Sequence, residues 1–189
     1  MEATVGDRPA ASKQVLECTG AQEPANFRIY SAGREFDGLP LTTVIRRCDN
    51  ADPMGSANYV SYIYGTCTPQ PAPGKDYVDS GCAPPLEIQT WPSCERTFGH
   101  YQGSARARMR PELRGVPVAE VDDWVELYTA DSTVVVFGTD PERVERAIAA
   151  VQPLERGASP ATFPPRLQRA TSLPAPEPGA LSVGKECSS

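Results

Sequence analysis

Three arginines at alternating positions, Arg106, Arg108 and Arg110, stand in the run SARARMRPELR. In an extended chain alternate side chains share a face, so their guanidiniums would point the same way. The planar guanidinium fork matches phosphate and carboxylate, which makes the strip a candidate anion site with Arg96, Arg114 and His100 as further contributors. The competing reading pairs the strip with the acidic run from Glu120 to Glu126. His100 is the single histidine and lies in a Gly-flanked polar stretch, the setting of a solvated surface group. A general base needs a positioned partner, and no such partner is visible. No catalytic residue is assigned.

Other chemistry is thinly represented. The chain has no G-x-S-x-G, H-E-x-x-H, G-x-G-x-x-G or P-loop pattern. Glu120, Asp122 and Asp123 cluster before a strand-like run but lack the ligand spacing of a calcium loop. No metal or cofactor is therefore expected. The net charge of -6 argues against general nucleic-acid binding, which leaves a basic footprint.

The six cysteines, Cys18, Cys48, Cys67, Cys82, Cys94 and Cys187, include no C-x-x-C pair and do not follow metal-ligand spacing. They are expected to be structural. Cys67 and Cys82 stand at the mouths of a Pro/Gly loop and are expected to clamp it, a closure worth about 3 kcal/mol by the chain-entropy estimate. Cys48–Cys94 and Cys18–Cys187 complete the expected set. Such usage fits an oxidising compartment. The start, MEATVGDRPAASKQ, has no signal-peptide pattern, so the expectation is a mature or tethered extracytoplasmic domain whose leader is not shown.

The elements that would carry these residues are mostly strands. The run from Tyr59 to Cys94 is the organising stretch. YVSYIY is β-branched and aromatic, and Leu86, Ile88 and Thr90 alternate with Glu87, Gln89 and Trp91. Phe27–Ser31 and Leu41–Arg47 read as further strands, whereas the arginine stretch reads as a helical turn followed by loop. Trp124–Thr129 and Thr133–Phe137 form a hairpin around Ala130-Asp131-Ser132. A helix follows, with Thr139 and Asp140 as cap oxygens and Glu142 closing a capping box. Val144, Ala147, Ile148 and Val151 make its apolar stripe, and Pro153 ends it.

The expected fold is α+β: a mainly antiparallel sheet of about five or six strands, one C-terminal covering helix and disulfide-stapled loops. Residues 1–25 read as a loosely ordered lead-in without strand signal, 26–152 as one domain, and 153–189 as a Pro-rich flexible tail, disordered or lying on the surface. FDGLPLTTV and LRGVPVAEV share φ-x-G-φ-P-φ-x-x-V, and each precedes an aromatic-Gly-Thr, so a degenerate internal duplication is a further expectation. No stretch is long and apolar enough for a membrane helix. The function expected is an extracytoplasmic, non-enzymatic interaction or accessory domain, engaging an unknown protein or an anionic cell-surface partner. The alternatives are a secreted inhibitor or ligand binder using the Cys67–Cys82 loop, and a hydrolase whose site assembles only in three dimensions.

Overall fold

The computed structural model describes residues 13–16, 25–47, 58–71, 78–93, 108–121, 123–159 and 165–177. The first third supplies β1 (Lys13–Leu16), β2 (Tyr30–Ser31), β3 (Glu35–Phe36) and β4 (Leu39–Arg47). The YVSYIY run is β5 (Tyr59–Tyr64), and the alternating LEIQTWP run is β8 (Leu86–Pro92). Between them lie β6 (Thr68–Pro71) and β7 (Val78–Ala83). The second half gives β9 (Arg108–Leu113), β10 (Val116–Val121), β11 (Trp124–Tyr128) and β12 (Ser132–Phe137). A helix, α1 (Pro141–Ala150), and β13 (Gln152–Pro153) close the order.

The main sheet has nine strands, running β1-β4-β5-β8-β12-β11-β10-β9 with β3 paired to β4 off that path. All its pairings are antiparallel except β1 with β4. The molecule is thus a mostly antiparallel sheet with one helix, as the α+β reading anticipates. β8 is its seam: β5 lies on one side, and the meander β9–β12 winds inward from the far edge to meet the other.

Four strands not read from the sequence, β1, β3, β9 and β10, enlarge the sheet beyond five or six, while β2 pairs with β13 outside it. Arg108–Leu113, expected as loop, is an edge strand whose exposed polar residues hide its periodicity. Lys13–Leu16, in the stretch without strand signal, pairs along β4. Four residues are too few to display alternation, and β4's ladder supplies the order that they lack locally.

Period-two alternation decides the faces. Val60, Tyr62, Tyr64, Leu86, Ile88, Val125, Leu127, Val134 and Val136 join one core cluster with Val144, Ala147 and Ile148 of α1. Burial of this stripe is what holds the ten-residue helix in place, since so short a helix is marginal alone. Its N-cap is Asp140, whose carboxylate accepts from the Glu142 N–H at 3.0 Å, with Pro141 in the first turn. Because the cap falls at Asp140 and not at Thr139, the expected Thr139–Glu142 capping box is not formed. After α1, β13 pairs antiparallel with β2.

The Pro-rich segment is hydrogen-bonded to the domain where it is described. The Gln168 N–H donates to Pro153 O at 2.7 Å, the Ala130 N–H to Pro174 O at 2.8 Å, and Leu173 enters the core cluster. Among the described residues no helix is long and apolar enough to cross a membrane.

Candidate functional site

The arginine strip becomes a strand, so its geometry follows the ladder. Arg110 lies opposite Val118 and Arg108 opposite Glu120 in β10. The Arg108 guanidinium meets Glu120 Oε2 at 2.7 Å. Arg110 makes a two-pronged contact with Glu145 of α1, at 2.6 and 2.8 Å. That guanidinium holds the Glu145 carboxyl below the usual carboxylate range. Both described arginines of the strip are thus matched by carboxylates of this chain. His100 and Arg106 lie outside the described residues.

Arg114 has a different role from the rest of the strip. It occupies the turn between β9 and β10 with φ 54°, followed by Gly115 at 83°. This is the two-residue left-handed turn that suits the twist of a hairpin. From there its guanidinium donates to the carbonyls of Ala149 and Val151 at the end of α1, and to those of Ala170 and Thr171. It also reaches Gln152 Oε1. The last turn of α1 carries no basic residue of its own, and Arg114 supplies the positive charge that the negative end of the helix dipole favours.

The sheet face opposite α1 is polar and aromatic yet largely buried. On β8 the Trp91 indole N–H donates to Gln89 Oε1 at 3.0 Å, and Gln89 Nε2 donates to Glu87 Oε1 at 2.7 Å. Ser61 Oγ donates to the same carboxylate at 2.6 Å, and Trp91 stacks on Tyr59 with centroids 4.5 Å apart. On β11 the Trp124 indole N–H and the Tyr128 hydroxyl donate to the two oxygens of Glu126 at 2.8 and 2.5 Å. Glu126 and Tyr128 are fully buried. Such polar residues would be costly inside without these bonds, which turn each glutamate into an anchor for aromatic rings.

The two glutamates stand on β8 and β11 with β12 between them, and Glu126 is level with Gln89, two residues beyond Glu87, so their backbones are about 12 Å apart. Ser61 and Glu87 form a hydroxyl–carboxylate pair within hydrogen-bond reach. Nucleophilic attack requires access, and Ser61 is fully buried, so this bond is an anchor. Among the described residues no group of three or more His, Cys, Asp or Glu side chains could hold a metal ion.

β6 and β7 form a separate two-stranded sheet, a ribbon inserted between β5 and β8. At its base Cys67 is disulfide-bonded. Cys18, Cys48, Cys94 and Cys187 lie outside the described residues, as does the side chain of Cys82. The sequence marked this stretch through its prolines as a loop; the antiparallel pairing of β6 with β7 makes it a ribbon instead. Nothing in the sequence pointed to the Glu87 and Glu126 anchors, because polar residues in an alternating run look like a solvent face. No protein-family model, curated protein or solved structure matches this chain.

Proposed function

We propose that the chain is an extracytoplasmic, non-enzymatic interaction domain that presents the β6–β7 ribbon to a protein partner. The ribbon carries this reading, because it stands as its own sheet between two strands of the nine-stranded one. A two-stranded ribbon fixed at its root loses less entropy on binding than a free loop of the same length. The disulfide at Cys67 supports an oxidising compartment. In this reading Cys67 bonds to Cys82: the ladder sets Cys82 opposite Pro69, so the two cysteine positions are diagonal neighbours across the ribbon. Cys48–Cys94 and Cys18–Cys187 are the further staples proposed.

A protein partner is favoured over an anionic polymer, since Arg108 and Arg110 already meet Glu120 and Glu145. The shared turn geometry of the two G-φ-P-φ hairpins, Asp37-Gly38 and Arg114-Gly115, is what supports a degenerate duplication. The segments that follow differ: one strand, β5, runs from the first hairpin's β4 to its aromatic-Gly-Thr, and two, β11 and β12, follow β10.

Two measurements test the proposal. Intact mass after alkylation, with and without reduction, on protein from its native host should show few or no free thiols. Six free thiols would remove the extracytoplasmic reading. Cross-linking on the surface of native host cells should capture a protein with the intact domain, and lose it when residues 68–83 are replaced by a Gly/Ser linker. Equal capture by both forms would remove the ribbon as the binding element.

A further inference from the structure

The chain segment leading into β2 and the turn after β13 line an open-mouthed cavity of about 200 Å³. Phe27, Ile29 and Leu154 contribute to its lining and belong to the core cluster, at 6%, 4% and 6% exposure. The two segments are tied by the Leu154 N–H donating to Ile29 O at 2.8 Å. Ser132 Oγ fixes the Arg28 carbonyl, and the turn at Gly157 closes with the Ala158 N–H on Glu155 O at 3.1 Å. The walls are therefore set before any ligand arrives, which lowers the entropy cost of binding.

Charge is arranged around this apolar floor in both signs. Arg28, Arg156, Asp131 and Glu155 all line the cavity. Arg156 and Glu155 are exposed, and neither has an ion-pair partner among the described residues. Arg28 Nε and Asp131 Oδ2 are 4.0 Å apart, beyond direct hydrogen-bonding distance, so each keeps capacity for a third group. The volume is below the roughly 300–1,000 Å³ of pockets for drug-sized ligands, which restricts the occupant to a small molecule.

We propose that this cavity binds a free aliphatic amino acid. Its carboxylate meets the guanidiniums of Arg28 and Arg156, its ammonium meets Asp131 and Glu155, and its side chain lies on Phe27, Ile29 and Leu154. A simple anion is disfavoured by the two carboxylates, and a simple cation by the two arginines.

The test is calorimetric titration of the whole chain with L-leucine as probe. Isocaproate and isopentylamine, each lacking one charge, serve as comparison ligands on the unaltered protein. Arg156→Ala and Glu155→Ala alter exposed side chains outside the core cluster, and thermal midpoints check their folding. The expected result is saturable leucine binding, weakened about tenfold by removing either ligand charge or either side chain, the worth of one charge-assisted hydrogen bond. No saturable binding up to about 10 mM leucine, an affinity weaker than the millimolar range, overturns the proposal. So does equal affinity for either comparison ligand, or undiminished leucine affinity in both folded variants.

Discussion

Asp37 and Arg114 hold the same position in two separate hairpins and grip the same helix with opposite charge. Each is the first residue of a two-residue turn, at φ 53° and 54°, a region that non-glycine residues enter rarely. Asp37 Oδ2 accepts from Arg143 at 3.0 Å and Arg146 at 2.7 Å, while Arg114 donates to the carbonyls that end α1. In both cases a strained turn residue is retained because its side chain ties sheet to helix. Replacing Arg114 by Gly separates the two effects: backbone strain is relieved, yet the carbonyls lose their donor. The expected net loss is about 1–2 kcal/mol, with Arg114→Ala costing more because strain persists. Urea unfolding of both variants measures this, and a glycine variant as stable as the parent would show that the guanidinium contributes nothing.

The Asp37 clasp should respond to acid. Arg146 first, and then Arg143, hold the Asp37 carboxyl below its ordinary value of 3.8. Its folded pKa lies under the unfolded one, so its stabilisation is complete above that ordinary value and disappears as pH falls through the folded one. Asp37→Asn keeps a residue tolerant of the left-handed turn but removes the charge. The stability gap between parent and variant is therefore expected to be constant near neutrality and to close below about pH 3.8. A gap unchanged down to about pH 2 would mean that the charge is not what binds the hairpin to the helix.

The parts legible in the sequence were those whose order is local. β5, β8, the β11–β12 hairpin and the stripe of α1 each declare a period within a few residues. β9 hid because RMRPEL buries little and takes its form from β10. Arg114 as a helix cap was illegible for a geometric reason. Its acceptor Ala149 is 35 residues away, and only the hairpin's placement brings them together. Glu87, Gln89 and Glu126 alternate with apolar residues as a solvent-facing set does, yet Glu126 is fully buried beside Trp124 and Tyr128.

The two-pronged Arg110–Glu145 contact joins the edge strand to α1, with side chains 26% and 49% exposed. Partial exposure and screening limit what it contributes. A double-mutant cycle with Arg110→Ala and Glu145→Ala should give a coupling of about 0.5–1 kcal/mol at low salt, falling in about 1 M NaCl. A coupling of zero at low salt would leave Arg110 free for an external anion, as the alternating arginines first suggested.

Gly65 and Gly138, the glycines of the two aromatic-Gly-Thr motifs, both abut Pro85 at the entry to β8. A Cβ on Gly138 would sit 2.4 Å from the Pro85 carbonyl oxygen, a backbone atom that cannot swing aside. Gly138→Ala must therefore shift the seam between β8 and β12. The expected cost is about 1–3 kcal/mol in urea or thermal unfolding, the usual range for overpacking. A neutral substitution would show that the two strands part here without penalty.

Alkaline pH should attack the core through its tyrosines. Tyr30, Tyr62 and Tyr64 are fully buried, and burial pushes the Tyr30 and Tyr64 hydroxyls from 10.0 up to about 12 and raises Tyr62 as well. The folded state keeps these protons where the unfolded chain releases them. Each tyrosine therefore contributes full stability below about pH 10, the unfolded value, and loses it as pH rises toward the folded one. The slope is up to about 1.4 kcal/mol per pH unit for each residue, so three together make the decline steep. Absorbance at about 295 nm should show Tyr30, Tyr62 and Tyr64 ionising only as the far-ultraviolet dichroism of the sheet is lost. If all seven tyrosines of the chain titrate in one step with the dichroism intact, the face of the sheet beneath α1 is open to hydroxide, and the packing of Tyr30, Tyr62 and Tyr64 against it is wrong.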